Sequence, residues 1–456
     1  MTVVAAAVFL ALLPGAPTWA HPMPNSIMQL DVLSDSLTAE LQIPVDDLSI
    51  ASGVELRRVD ANDVLTRRAT DLQDYLARHL AVTTTDGRLW IVKVGQLHLG
   101  EAEQTATGPY REVIAHATWT PPAGADIRRF VVAADLVVHE VVTHSIVVTI
   151  HNDWGAGEVA HDGAGTQIGI IAEDTRTMNL EPLMIELDRA STWRGFTAMV
   201  HLGTEHIASG TDHLLFLLVL LLPAPLIAVG GRWRGAVSTK RTIIRMTRIT
   251  LAFTLGHSLT LALSALGRLQ LPATPIEVFI SLSILIGAVH ALRPLFPGRE
   301  ALTAGLFGLV HGMAFSFTLA ELGLTTSQLI LSLLGFNLGI ELMQLGVVLL
   351  TLPSLVVLSR TNWYRPVRVL GALCAALASI GWILARVGVP NPVATLADQA
   401  GQSGIVVVIG LAVLAALAFA WQKRGGGDAN GSSAEHTTPT SAPSSDMGTA
   451  ARIGDI

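Results

Sequence analysis

Three side chains able to bind a metal stand at the head of an unbroken apolar run: His206, Asp212 and His213 in HIASGTDHLLFLLVLLL, residues 206–222. An ionisable group at the bilayer centre costs about 2.5–3.5 kcal/mol on insertion scales, so such groups persist where they are compensated or used. Seven residues advance a helix by nearly two turns, which places His206 and His213 on one face about 10 Å apart along the axis. One straight helix therefore cannot hold both imidazoles at a bond length near ~2 Å from a single ion. Either the helix breaks at Gly210, or the two histidines serve successive sites completed by other helices. The competing structural reading is that these groups only hydrogen-bond between helices, as polar side chains in membranes often do.

Other apolar runs supply partners. TLGHSLTLALS places His257 beside Ser258 and one turn from Thr254, and GLFGLVHGMAF places His311 between Gly308 and Gly312. Small residues of that kind let helix backbones approach closely. In FNLGIELMQ, Asn337, Glu341 and Gln344 form a polar stripe at i, i+4 and i+7. Glu341 is the costliest to bury and the expected proton or cation carrier, or else a partner for one of the histidines. The expected metal set is thus His206, Asp212, His213, His257, His311 and Glu341. Imidazole and carboxylate without thiolate suit divalent nickel, cobalt, zinc or manganese, whereas copper(I) would recruit Cys or Met. The single cysteine, Cys374, lies in an apolar run, which leaves no thiolate cluster and no disulfide framework. Two further residues have structural readings. Glu277 stands three residues after Thr274 with Pro275 between, a capping-box pattern at the outer mouth of a span. His290 precedes ALRP at the end of its span, where capping or exposure competes with metal binding.

The elements that must position these groups follow from hydropathy and charge. Half of the 456 residues are hydrophobic and 14% are charged, a membrane composition. The charge is divided: residues 21–190 hold 25 acidic and 12 basic residues, net −13, and the remainder holds 11 acidic and 17 basic, net +6. Residues 1–20 read as a signal peptide, with an apolar core and a small-residue end at Ala20 but no basic residue ahead of it. Residues 21–190 alternate and are rich in β-branched residues, as in FVVAADLVV and HSIVVTIHNDW, which predicts an antiparallel, sandwich-like extracytoplasmic domain. DLQDYLARHL reads as one short helix within it. Its acidity would modestly concentrate cations at the outer face.

Residues 196–421 read as a transmembrane helical domain with spans near 198–222, 246–267, 275–294, 301–321, 327–357, 366–388 and 404–421. About seven transmembrane helices are expected, with six or eight as alternatives. Basic residues cluster in alternate loops: Arg232, Arg234, Lys240, Arg241, Arg245 and Arg248, then Arg293 and Arg299, then Arg360, Arg365 and Arg368, and Lys423 and Arg424 at the end. The asymmetry puts the N-terminal domain outside and the tail inside. Residues 422–456, low in hydrophobics and rich in Gly, Ser, Thr and Pro, read as a disordered cytoplasmic tail.

HEVVTH, residues 139–144, has its second histidine one residue too late for the zinc-protease spacing and stands in a β-branched stretch, so it is rejected. His21, at the expected mature start HPMPNS, offers its amine and imidazole as a copper-type grip, although Pro22 has no amide proton to give up. No Walker, Rossmann, kinase or hydrolase-elbow pattern occurs, and no basic patch outside the loops suggests nucleic acid. Neither an enzyme nor a prosthetic cofactor is expected.

The H-x5-D-H of His206, Asp212 and His213 resembles the first-helix signature of the HupE/UreJ family. FTLGHSLTLALSALG, PIEVFISLSI, FGLVHGMAF and FNLGIELMQLG are similar to its later spans, from residue 196 to about 390. The resemblance implies a multi-pass protein of a bacterial-type cytoplasmic membrane, similar to nickel and cobalt permeases linked to hydrogenase and urease maturation. The added outer domain resembles the long branch of that family. One signature differs: where short members carry F-H-G-x-[AV]-H-G-x-E, this chain has Phe307 for the first histidine and Ala314 for the glutamate. The first functional expectation is a divalent-metal permease whose partners are the ion and the lipid bilayer. The second, favoured by the two lost polar positions, is a membrane-anchored metal chaperone or assembly factor whose outer domain binds a protein partner.

Overall fold

The computed structural model describes residues 24–57, 61–104, 108–159, 165–174, 176–266, 268–269, 271–314, 322–401, 409–410, 412–418 and 420. The expected signal peptide, His21, parts of the fourth and seventh spans and the tail lie outside the described residues.

Strands β1 (Ser26–Val32) and β2 (Leu37–Pro44) bury every second side chain, the period-two pattern of a sheet with one face on a core. Three helices follow, α1 (Val45–Ser52), α2 (Ala61–Arg67) and α3 (Ala69–His79). Only α3 was legible in the sequence, as DLQDYLARHL. The chain continues through β3 (Leu80–Thr84), β4 (Ile91–Gln104), β5 (Gly108–Thr120), β6 (Arg129–Ala134), β7 (Ser145–Asp153), β8 (Glu158–Val159), β9 (Thr166–Asp174), β10 (Asn179–Leu180) and β11 (Leu183–Glu186). These form a large sheet in the order β10-β9-β7-β1-β2-β5-β4, with β8 on β7, and a small sheet β11-β6-β3. Leu30, Leu41, Trp119 and Val148 of the large sheet share one core with Val82, Phe130 and Val132 of the small sheet and Leu72 and Leu76 of α3. Trp119 Nε1 donates to the Leu80 carbonyl at 3.3 Å, tying sheet to sheet. The expected β-rich character holds. One pairing departs from an all-antiparallel expectation: β1 runs parallel to β7. Alternation reveals which face is buried but not the direction of the neighbour.

A buried clasp fixes that parallel pair. His144 bonds Ser26 Oγ through Nε2 and Asp47 Oδ2 through Nδ1, each at 2.8 Å. The connectivity matches a hydrolase triad, but all three residues are at most 2% exposed, so no substrate reaches the serine and the network is structural. At the opposite end of β7, Arg128 holds buried Asp153 in a two-pronged ion pair at 3.0 and 2.5 Å. Next to it, Trp154 Nε1 donates to Ser332 Oγ at 2.9 Å, which seats the β-rich part on the helices.

The helical part comprises α4 (Thr192–Ser209), α5 (Thr211–Leu221), a hairpin of β12 (Leu226–Val229) and β13 (Arg232–Ala236), then α6 (Thr239–Ala265), α7 (Ala273–Leu292), α8 (Glu300–Ala314), α9 (Thr326–Leu358), α10 (Tyr364–Arg386) and α11 (Pro392–Gly401). Among the described residues three helices, α7, α9 and α10, are long and apolar enough to cross a membrane, and α5 is a shorter apolar helix. The count of about seven is not carried by these helices, for physical reasons. The first expected span is broken in two at Gly210. α6 begins with Lys240, Arg241, Arg245 and Arg248 within its 27 residues, and α8 is described for 15. The hairpin was not foreseen; it occupies the first basic loop.

Glycines set the helix crossings. A Cβ at Gly256, Gly308 or Gly312 would be driven into the backbone of the facing helix, at Gly305, Phe253 and His257 respectively, so α6 and α8 touch main chain to main chain. Gly203 and Gly339 do the same for α4 and α9. Small residues at such contacts are the usual device for close approach in membranes. Two structural expectations change. The α7 helix starts at Ala273 after Pro272, without a side-chain cap, and Glu277 pairs instead with Arg386 of α10 at 3.2 Å. The capping box is at the head of α9, where Thr325 and Gln328 bond reciprocally. His290 is buried and accepts the Leu295 N–H on Nδ1 at 3.1 Å, while Trp233 donates to its carbonyl at 2.8 Å. Its role is to terminate α7.

Candidate metal centre

The first choice left open by the sequence is resolved at Gly210, which takes φ −72° and ψ 90° between α4 and α5. The break folds the two histidines toward each other, and their ring centroids are 4.7 Å apart instead of two turns along one rod. A side chain at this position has no room: a Cβ would lie 2.6 Å from the His206 carbonyl oxygen and 3.0 Å from His213 Nδ1.

His213 is the hub. Its ring centroid is 5.0 Å from that of His311 on α8 and 6.1 Å from that of His257 on α6, and His206 is 6.2 Å from His257. An imidazole bound through nitrogen at about 2.1 Å has its centroid about 3.2 Å from the ion. Two such rings are then about 4.5 Å apart at a right angle and about 5.2 Å apart at a tetrahedral angle. The observed 4.7–6.2 Å overlaps this range and extends about 1 Å beyond it. Four histidines from four helices thus gather around His213, at ring spacings equal to or wider than those of one ion.

The hydrogen bonds fix which nitrogen each ring offers. Asp212 Oδ1 accepts from the backbone N–H of His213 at 2.8 Å and lies 2.9 Å from His213 Nδ1. An ionised carboxylate only accepts, so Nδ1 carries the proton and the lone pair is on Nε2, which has no hydrogen-bond partner. Asp212 therefore orients His213, the arrangement by which a carboxylate sets the tautomer of a metal-binding imidazole. Its charge also suits the N-terminal turn of α5. On α7, the Ser283 hydroxyl donates to the Ile280 carbonyl at 2.7 Å and lies 3.0 Å from His311 Nε2. The serine can thus only accept from the ring, which leaves the lone pair on Nδ1, again without a partner. His257 is fully buried with both nitrogens unbonded. An unmet buried polar group costs about 1–3 kcal/mol, and three neighbouring imidazoles here each carry at least one.

Glu341 is placed differently. Thr254 donates to its Oε2 at 2.8 Å, and Ser258 donates to Asn337 Oδ1 at 2.6 Å. The polar stripe of α9 is thus stitched to α6 one turn before His257 and at the residue after it, and Glu341 is held by a hydroxyl. The structure brings His206, His213, His257 and His311 together with Asp212 behind them, and gives Glu341 a flanking position.

Reasoning from sequence missed the wall of the site and its mouth. Phe216 and Phe253 each lie 5.2 Å from the His311 ring, Phe336 lies 5.4 Å from His206, and Phe307 packs on Phe216 at 5.8 Å. The residue that replaces the signature histidine is thus part of an apolar wall. Aromatic residues in apolar helices give no signal for this role. A cavity of about 270 Å³ is lined by Ser209, Thr211, Asp212, Trp382, Arg386 and Asp398, so Asp212 borders both open space and the His213 ring. Cys374 is exposed on α10 and takes no part.

The family model described as HupE / UreJ protein matches residues 183–386, from β11 to the end of α10, which includes every residue of the cluster. No curated protein and no solved structure matches the chain.

Proposed function

We propose that this chain, which belongs to the HupE/UreJ family through residues 183–386, is a membrane permease for a divalent transition metal of the nickel or cobalt type. The observation that carries the reading is the gathering of His257 and His311 around His213, three buried imidazoles with ring nitrogens that lack hydrogen-bond partners. A neutral-nitrogen set without thiolate suits nickel, cobalt or zinc. The ion enters from the cavity at Asp212, loses water to the imidazoles, and is compensated by Asp212 and, in passage, by Glu341. Without a nucleotide-binding motif, movement is facilitated or coupled to another ion. The β-rich part stands outside the cytoplasm, the basic loops and tail stand inside, and about seven spans connect them. No chemical transformation is assigned to the protein.

A second reading is favoured by one observation. Phe307, Phe216 and Phe253 pack as an apolar wall against the cluster, as suits a site that holds metal without passing it. The protein would then be a membrane-anchored metal chaperone or assembly factor with an outer protein partner. Uptake of radioactive nickel and cobalt into proteoliposomes separates the two. Flux that disappears in His213→Ala supports the permease, and binding without flux selects the chaperone. Flux undiminished in His213→Ala removes the cluster from the mechanism.

A further inference from the structure

We propose that the β-rich domain carries its own exchangeable site for a divalent transition metal, formed by His79, Asp135 and His139. One donor atom from each of these residues lies within 4.8 Å of those of the other two. His79 is the last residue of α3, Asp135 follows β6 directly, and His139 lies in the turn before β7.

The turn is built to bring them together. Val137 has φ 60°, a conformation that a β-branched residue adopts only under constraint, at about 1–3 kcal/mol. The constraint is visible: Leu136, Val137 and Val138 are buried in the core, and the Val137 N–H donates to the Tyr75 hydroxyl at 3.1 Å. The reversal lays the His139 ring flat on the His79 ring, with centroids 4.2 Å apart and planes 10° apart. Strain of this kind gathers where geometry serves a site.

The protonation pattern also suits a metal. His139 Nδ1 lies 2.9 Å from the Asp135 carbonyl oxygen, which can only accept, so Nδ1 is protonated and the Nε2 lone pair is free. That carbonyl contact is the usual support of a metal-bound imidazole. His79 Nδ1 bonds Asp135 Oδ1 at 2.9 Å, so the carboxylate already touches one of the imidazoles. Ligand atoms on one ion are about 3.3 Å apart, given bonds of about 2.0–2.2 Å. The donor atoms already lie within 4.8 Å, and the Asp135 side chain, 50% exposed, is free to rotate toward an ion. Two imidazoles and one carboxylate leave coordination positions to water, as in an exchangeable site for cobalt, nickel or zinc.

The site is distinct from the membrane cluster. β7 begins at Ser145, close to His139 in sequence, and runs to Asp153 beside the helices. At about 3.3 Å per residue, roughly 26 Å of strand separates the two ends. The ion held here faces the pole of the domain away from the helices. This explains HEVVTH without a protease: its first histidine belongs to this site and its second to the buried clasp with Asp47.

The test uses the full-length protein in detergent, titrated with cobalt(II) alone and followed by visible ligand-field absorption and bound stoichiometry. In a His213→Ala/His257→Ala background, which removes two membrane imidazoles, one cobalt is expected to remain. His139→Asn in that background is expected to weaken its binding at least 30-fold, about 2 kcal/mol by the tenfold-per-1.4 kcal/mol relation. His139 is exposed, so that variant keeps its fold. In the otherwise wild-type chain His139→Asn should lower the stoichiometry by one, a readout that stands if the background variant does not fold. Unchanged stoichiometry, or loss of the remaining cobalt in His98→Asn and not in His139→Asn, overturns the proposal. Failure of nickel flux with this cobalt retained would count against the permease alone.

Discussion

Gly210→Ala probes the membrane cluster at its hinge. The glycine is at φ −72° and ψ 90°, which alanine can adopt, so the effect is steric rather than conformational. The added Cβ would lie 2.6 Å from the His206 carbonyl oxygen, 3.0 Å from His213 Nδ1 and 3.3 Å from Asp212 Oδ1. Restoring ordinary contact at about 3.4 Å moves the carbonyl by about 0.8 Å and the imidazole by about 0.4 Å. Overpacking of this size costs about 1–3 kcal/mol, while alanine gains up to about 1 kcal/mol over glycine wherever the backbone becomes helical. Both effects favour straightening α4 and α5 into one rod, which would return the two histidines toward a separation of about 10 Å. Metal sites tolerate about ±0.2 Å, and disturbing the supporting shell alone costs about 10–100-fold in affinity. Cobalt(II) affinity of the detergent-solubilised protein, measured by competition with a chelator, should therefore fall at least tenfold. Gly346→Ala, whose Cβ would meet nothing within 4 Å, is the control and should bind as wild type. If Gly210→Ala binds cobalt like that control while remaining folded, the break is not what assembles the site.

Gly308→Ala and Gly312→Ala should separate α6 from α8, since each Cβ would enter the α6 backbone; cobalt binding should weaken and thermal unfolding in detergent should occur at lower temperature, whereas unchanged values would refute direct backbone contact. Arg128→Ala leaves the Asp153 carboxylate, 2% exposed, buried without its partner and should destabilise the β-rich part by about 3–5 kcal/mol. Arg129→Ala, which breaks the exposed pair with Glu186, should leave stability nearly unchanged because solvent screens the pair, and equal shifts in the two unfolding curves would contradict the burial argument. Burial pushes the Tyr75 hydroxyl up to about 12 from 10.0, against the lowering effect of its bond with the Val137 N–H. The unfolded chain then loses this proton first, so stability should fall as pH rises from 10 toward 12. Tyr75→Phe should flatten that decline in thermal unfolding between pH 9 and 12, and an identical slope in both proteins would show that Tyr75 ionises freely.

The sequence by itself determined the materials and the faces. Alternation in β1, β2 and β7 marked buried positions because side chains on a strand point to opposite sides. His206, Asp212, His213, His257, His311 and Glu341 stood out because their cost in an apolar run demands a reason, and Gly308 and Gly312 announced close backbone approach. These are local properties, carried by spacing along one element. Only the tertiary structure decided the rest. It placed a break at Gly210, set Asp212 against His213 Nδ1, and brought Thr254 to Glu341. It also ran β1 parallel to β7, set Phe307 in an aromatic wall, and stacked His139 on His79 from 60 residues away. Each of these depends on which element lies next to which. The packing of a whole core settles that question, and the period of a single helix or strand carries no record of it.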